Sequence, residues 1–187
     1  MKRSATLNIV GILAGLALVQ GLAVLVYRRV EAGRRVGREA HFSYEQLTNR
    51  PAPQLKLTRL DGTARQLGAS KGRAVLLHFW ATWCPPCREE LPGLLDLGRD
   101  PSLAGHVEVI AVSLDSEWGP VTEFFGRRPI PPEVVRDASG ASKSGYDLTT
   151  LPDTYLLGGD GSIRLRFGGA RDWRSADARR VLLEHLK

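Results

Sequence analysis

Cys84 and Cys87 are the only cysteines in 187 residues, and they stand two residues apart in the stretch WATWCPPC. Thiols at that spacing can close into a disulfide, reopen by exchange with another disulfide, or hold a soft metal ion as thiolates. If Cys84 is the N-cap of a helix, the positive end of the helix dipole favours its thiolate, the nucleophile of exchange. Pro85 and Pro86 then take the first two helical positions, where the fixed φ fits and the missing N–H groups have no intrahelical partner to lose. Neither proline can donate to the Cys84 sulfur, so its acidity should be moderate, which suits a reductant or mid-range exchanger better than a strong oxidant. Cys87, one turn further in, should be less accessible and should resolve the mixed disulfide that Cys84 forms.

Two other readings compete. Half of a zinc site needs a second ligand pair, but the chain has no further cysteine, and His41, His106 and His185 show no ligand spacing. A static structural bridge is the other, although a C-x-x-C loop at a strand-to-helix corner is more often exchangeable.

The elements that must hold the pair follow from hydrophobic rhythm. AVLLHFW (residues 74–80) is a continuous apolar run fit for a strand buried on both faces, and 87–97 reads as the helix after it. VEVIAVSL (107–114) reads as a second buried strand, 118–127 as a helix, 134–135 as a short strand and 139–146 as a short helix. TYLL (154–157) and IRLRF (163–167), separated by glycine-rich turn residues, form an antiparallel hairpin, and Asp172 or Ser175 could cap a last helix reaching 186. Before all of these, PAPQLKLTRLDGTARQL carries two alternating runs around Asp61 and Gly62, a hairpin signal. The expectation is a three-layer α/β/α domain over 51–187, with a central mixed sheet and an N-terminal β-hairpin. The cysteines fall at the carboxyl end of its first central strand, where ligands gather in open sheets.

The formal net charge of +6 is not spread evenly: residues 1–50 carry eight Lys/Arg against three acids, whereas 51–187 carry eighteen against seventeen. A folded part near neutrality has no basic stripe for tracking phosphates, which argues against a nucleic-acid partner. Residues 7–26 form an uncharged apolar run of twenty, and as a helix at about 1.5 Å per residue it would reach about 30 Å, the thickness of a bilayer core. The competing reading is a cleaved signal peptide, but the run is long for one and lacks a small-x-small site after it. The reading is therefore a six-residue tail, a single-pass anchor over 7–26, and a basic juxtamembrane stalk over 27–50 that can lie against anionic headgroups. Arg28, Arg29, Arg34, Arg35 and Arg38 follow the span against the amino terminus, Lys2 and Arg3 before it. That count taken alone puts the domain in the cytoplasm.

FWATWCPPCREELP, the PAPQLKLTRLDG opening, Leu151-Pro152 before a strand and the closing GGARDW resemble the thioredoxin superfamily, and within it the TlpA/ResA-like membrane-anchored thiol:disulfide reductants of the bacterial cell envelope, which include cytochrome c maturation proteins. The resemblance covers about 51–187. It implies a membrane-tethered thiol:disulfide oxidoreductase whose redox-active disulfide joins Cys84 and Cys87, with the domain outside the cytoplasm, on the periplasmic side, against the arginine count. The clients would be disulfide-bearing envelope proteins, for example in cytochrome c biogenesis or copper-site assembly. With no cofactor site legible, a membrane electron donor of the thiol-reducing type would re-reduce the pair.

The resemblance also assigns residues. Pro152 would be a cis-proline facing the disulfide, with Leu151 offering backbone hydrogen bonds to an extended substrate; the plainer alternative is an ordinary proline at the start of a strand. Pro92 would kink the helix. Glu90, three residues after Cys87 and on roughly the same helix face, could take a proton from Cys87 or be merely a solvated acid. His78 stands where thioredoxin has a buried aspartate, six residues before the first cysteine; it could shuttle a proton or be a neutral core histidine. Trp83 would belong to the substrate-facing surface. The alternative function is a thioredoxin-fold copper chaperone binding Cu(I) through the cysteine pair, although no histidine occupies the late loop such proteins use.

Overall fold

A computed structural model of the chain describes residues 17, 19–27, 42–67 and 72–186. The expected tail, most of the expected anchor and residues 28–41 of the expected stalk lie outside that set. Residues 19–27 are helical, and among the described residues no helix is long and apolar enough to cross a membrane.

The compact unit that carries the cysteines runs from Phe42 to Lys187. Its eight strands are β1 (Glu45–Pro51), β2 (Lys56–Thr58), β3 (Ala64–Gln66), β4 (Ala74–Trp80), β5 (Val107–Ser113), β6 (Val134–Arg136), β7 (Asp153–Leu157) and β8 (Ser162–Gly168). Its helices are α1 (Pro85–Leu97), α2 (Trp118–Phe125), α3 (Ala141–Gly145) and α4 (Ala176–Glu184). The strands form one mixed sheet in the order β1-β8-β7-β4-β5-β6-β2-β3. β4 lies parallel to β5 and antiparallel to β7, so His78 stands opposite Ala111 on one side and Thr154 on the other.

All seven β4 residues are buried, and their alternation divides the core. Ala74, Leu76 and Trp80 join a cluster containing Leu91 and Leu94 of α1, Val121 of α2, and Val181 and Leu182 of α4. Val75, Leu77 and Phe79 face the other way, toward Leu55, Leu57, Leu67, Tyr146 and Leu148. On that side lies one short helix, α3, and Leu55, Leu57 and Leu67, from the sheet's edge hairpin and its flanks, complete the cluster. The expected three-layer plan is thus asymmetric, with three helices on the face that carries the cysteines.

The hairpin turns at Asp61-Gly62 as expected: Gly62 adopts φ 81°, a region open to glycine, and Asp61 Oδ1 accepts from the Thr63 N–H and hydroxyl. Ser175, one of the two expected caps, accepts from the Ala178 N–H at the start of α4.

The expected domain start at Pro51 moves to Phe42. Residues 45–51, assigned from sequence mainly to the stalk, pair antiparallel with β8 as an edge strand, Glu45 opposite Arg166 and Pro51 opposite Ser162. An edge strand needs no alternating apolar face, and EQLTNRP shows none.

Candidate active site

Cys84 is the N-cap of α1 in extended conformation, with Pro85 and Pro86 at the first two helical positions. The chain turns into it through the Cys84 N–H bonded to the Ala81 carbonyl, and the first helical bond runs from the Arg88 N–H to the Cys84 carbonyl. Pro92 lies inside the helix as expected. Cys84 and Cys87 are joined in a disulfide. Cys84 keeps 5% of its surface exposed and Cys87 none, so the little surface that the pair offers a partner belongs to Cys84. Trp83 beside it is 67% exposed, whereas Trp80 is fully buried in the core.

The loop that presents Cys84 is tied to the end of β5. Asp115, itself buried, accepts from the Thr82 backbone N–H, the Thr82 hydroxyl and the Ser113 hydroxyl. Sequence reading passed over this residue, because an aspartate after a strand carries no sign of which later or earlier loop it will hold.

The Leu151–Pro152 peptide is cis, Pro152 is buried and Leu151 is half-buried. The Pro152 carbonyl accepts from the Gly169 N–H at 2.9 Å, which joins the proline loop to the glycine-rich turn after β8.

One turn beyond Cys87 on the buried side of α1 lies Glu90, 8% exposed, while its neighbour Glu89 faces solvent. Of the two expectations for Glu90, the structure rules out the solvated acid. The carboxylate meets the segment after β8: Oε2 accepts from the backbone N–H of Arg171, and the Trp173 indole lies close by, outside hydrogen-bonding geometry. Burial outweighs the Arg171 N–H, the nearby indole and the Arg171 charge, and raises the carboxyl from 4.5 to about 7.

His78 is fully buried on the same side of the sheet. Its Nδ1 lies 2.8 Å from the Thr154 hydroxyl, and its Nε2 lies 3.6 Å from Glu90 Oε1. Neither Nε2 nor Oε1 has a hydrogen-bond partner. Desolvation lowers the imidazole from 6.5 to about 3, so the ring is neutral. The structure thus brings His78 and Glu90 together behind the cysteine helix, a meeting that spacing could not show because β4 and α1 are joined only through the turn at Cys84. Among the described residues no group of three or more His, Cys, Asp or Glu side chains is placed to hold a metal ion.

The chain matches known proteins in sequence and in fold. Residues 48–166 match the model of the AhpC/TSA family. The chain is 30% identical over 164 residues to the thiol-disulfide oxidoreductase ResA of Bacillus subtilis (strain 168), a match covering 87% of this chain and 85% of the relative. It is 35% identical over 123 residues to the ResA of Oceanobacillus iheyensis, covering 64% of each chain. Among solved structures, a thiol:disulfide interchange protein DsbE from Chlorobium tepidum superposes with a TM-score of 0.67 and 26% identity, over 76% of this chain and 100% of that one. StoA from Bacillus subtilis superposes with a TM-score of 0.57 and 25% identity, over 69% of this chain and 96% of that one.

Proposed function

This chain belongs to the AhpC/TSA family and is a thiol-disulfide oxidoreductase similar to ResA, and from that premise we propose that it works as a membrane-tethered reductant of disulfides in proteins outside the cytoplasm. The observation that carries the reading is the unequal exposure of a disulfide at a helix start: what surface the pair keeps belongs to Cys84, and the exposed indole of Trp83 beside it offers a contact surface. In the reduced chain, the Cys84 thiolate attacks one sulfur of a client disulfide, forming a mixed disulfide and expelling the client's other sulfur as a thiolate, which takes a proton from water. Cys87 then gives its proton to ionised Glu90 and attacks the Cys84 sulfur. The client's second sulfur leaves as a thiolate, the client has gained two electrons, and the Cys84–Cys87 disulfide is the product.

Leu151 and Pro152 would line the groove that receives the client backbone. The apolar run at 7–26 supports tethering, and the basic segment after it supports contact with anionic lipid. Tethering would hold the domain in the compartment of its clients, for which cytochrome c precursors and copper-site proteins are the leading classes. A membrane dithiol donor would supply the two electrons of each cycle.

A Cys87→Ala chain expressed in cells should accumulate as a mixed disulfide through Cys84, in the membrane fraction, with the client identified by mass spectrometry after diagonal gels. Adducts confined to cytoplasmic proteins would refute the compartment, and an absence of adducts would refute the exchange with protein clients.

A further inference from the structure

Two buried polar atoms without hydrogen bonds face one another at 3.6 Å, Nε2 of His78 and Oε1 of Glu90. Leaving either atom unpaired in a desolvated site is costly, and a neutral core histidine already satisfied at Nδ1 would have no reason to aim its second nitrogen at a carboxyl. We propose that His78 is a positioning residue for the exchange reaction, serving Glu90 in both of its protonation states by switching tautomer, with the Thr154 hydroxyl turning to match.

The proton inventory closes. With Glu90 as the acid, its Oε1–H donates to a bare Nε2, while Nδ1–H donates to the Thr154 oxygen. With Glu90 ionised, Nε2–H donates to Oε1, and Nδ1 accepts from the Thr154 hydroxyl. The imidazole carries one proton in each state and stays neutral, as its low pKa requires. The two states differ by a single proton on Glu90, the one that Cys87 surrenders when it attacks. A small closure of the 3.6 Å gap makes either hydrogen bond.

The groups facing the pair leave this role to His78. From α1 comes Glu90 itself, with buried Cys87 one turn before it. From β7 comes Thr154, and from β5 only Ala111 stands opposite. From the segment after β8 comes Arg171, whose backbone N–H serves the other carboxylate oxygen while its guanidinium donates to the carbonyls of Ser43, Gly169 and Ala170. Trp173 contributes an indole N–H, which can donate to an oxygen and cannot accept from one. The Thr154 hydroxyl can do both but is engaged with Nδ1, which leaves His78 Nε2 as the group facing Oε1 that can donate to it or accept from it.

This inference rests on the proposed transfer from Cys87 to Glu90, and the test separates the two. The reduced full chain, purified in detergent, is mixed in stopped flow with an aromatic disulfide, where the first coloured thiol reports attack by Cys84 and the second reports attack by Cys87. His78→Leu should displace the pH profile of the second release about one unit upward, slowing it about fivefold at pH 7 and about tenfold at lower pH, because the hydrogen bond lost to the ionised carboxylate is stronger than the one lost to the acid. His78→Gln, whose amide can donate or accept, should restore most of the rate. Glu90→Gln should flatten the profile. If Glu90→Gln flattens it and His78→Leu leaves it in place, the role of His78 is refuted. If neither moves it, the transfer to Glu90 falls and this inference with it. Should His78→Leu fail to fold, nitrogen NMR of the unaltered chain decides: the His78 ring should pass from the Nδ1–H to the Nε2–H tautomer as Glu90 ionises, and a ring fixed in one tautomer overturns the proposal.

Discussion

The Asp115 carboxylate holds Thr82 twice, Oδ2 taking its backbone N–H at 3.0 Å and Oδ1 its hydroxyl at 2.6 Å. Thr82 lies two residues before Cys84, so the end of β5 fixes the turn from which the nucleophile is presented. The carboxylate also takes the Ser113 hydroxyl, at 2.8 Å.

Asp115→Ala removes the acceptor for three donors in a buried site. Each donor left unsatisfied costs about 1–3 kcal/mol, and partial rehydration of the half-buried Thr82 trims the sum to about 3 kcal/mol. Asp115→Asn keeps one acceptor oxygen and should lose about half as much. Urea denaturation measures both, and the loosened loop should slow attack by Cys84 in the order Asp, Asn, Ala. An Asp115→Ala chain as stable and as fast as the parent would show that the turn is held by the Ala81–Cys84 backbone bond alone.

Phe42 tests where the domain begins. It is buried against Phe167 and Trp173, with ring centroids 5.6 Å and 5.3 Å away and the Trp173 contact edge-on. Phe42→Ala should cost about 3 kcal/mol, the usual range for a buried phenylalanine. A chain beginning at Pro51 should lose at least that, because the β1–β8 pairing goes as well. Chemical denaturation of chains beginning at residues 42 and 51 checks the boundary, and equal stabilities would restore the boundary read from sequence.

How much of this was legible depends on whether a residue's partner is local. AVLLHFW announced β4 because burial on both faces leaves a pattern in the strand itself, and Cys84-Pro85-Pro86 announced the start of α1 because capping is settled within one turn. Glu90 was ambiguous because the wall that buries it comes from Arg171 and Trp173, some eighty residues later. Asp115 and Thr82, 33 residues apart, were silent for the same reason. The sequence of β1 reads as stalk because an edge strand with largely exposed residues needs no periodicity.

Glu90 and His78 should oppose each other in the pH dependence of stability. Burial raises Glu90 from 4.5 to about 7, so the folded chain keeps a proton that the unfolded chain releases; this contribution is complete below pH 4.5 and lost as pH rises through about 7. Burial lowers His78 from 6.5 to about 3, so the unfolded chain binds a proton that the folded chain refuses; this contribution is complete above pH 6.5 and lost as pH falls through about 3. Each group imposes a slope of about 1.4 kcal/mol per pH unit, with opposite signs, so the two offset between pH 4.5 and 6.5. His78→Leu leaves the Glu90 slope alone, and stability relative to the parent should fall by about 3 kcal/mol across that window. Glu90→Gln leaves the His78 slope alone, and relative stability should rise by a similar amount. Urea midpoints measured at several pH values for the three chains read the slopes directly. Variant curves running parallel to the parent's would mean that water reaches both groups in the folded state, and the desolvated pair behind the cysteine helix would not exist in solution.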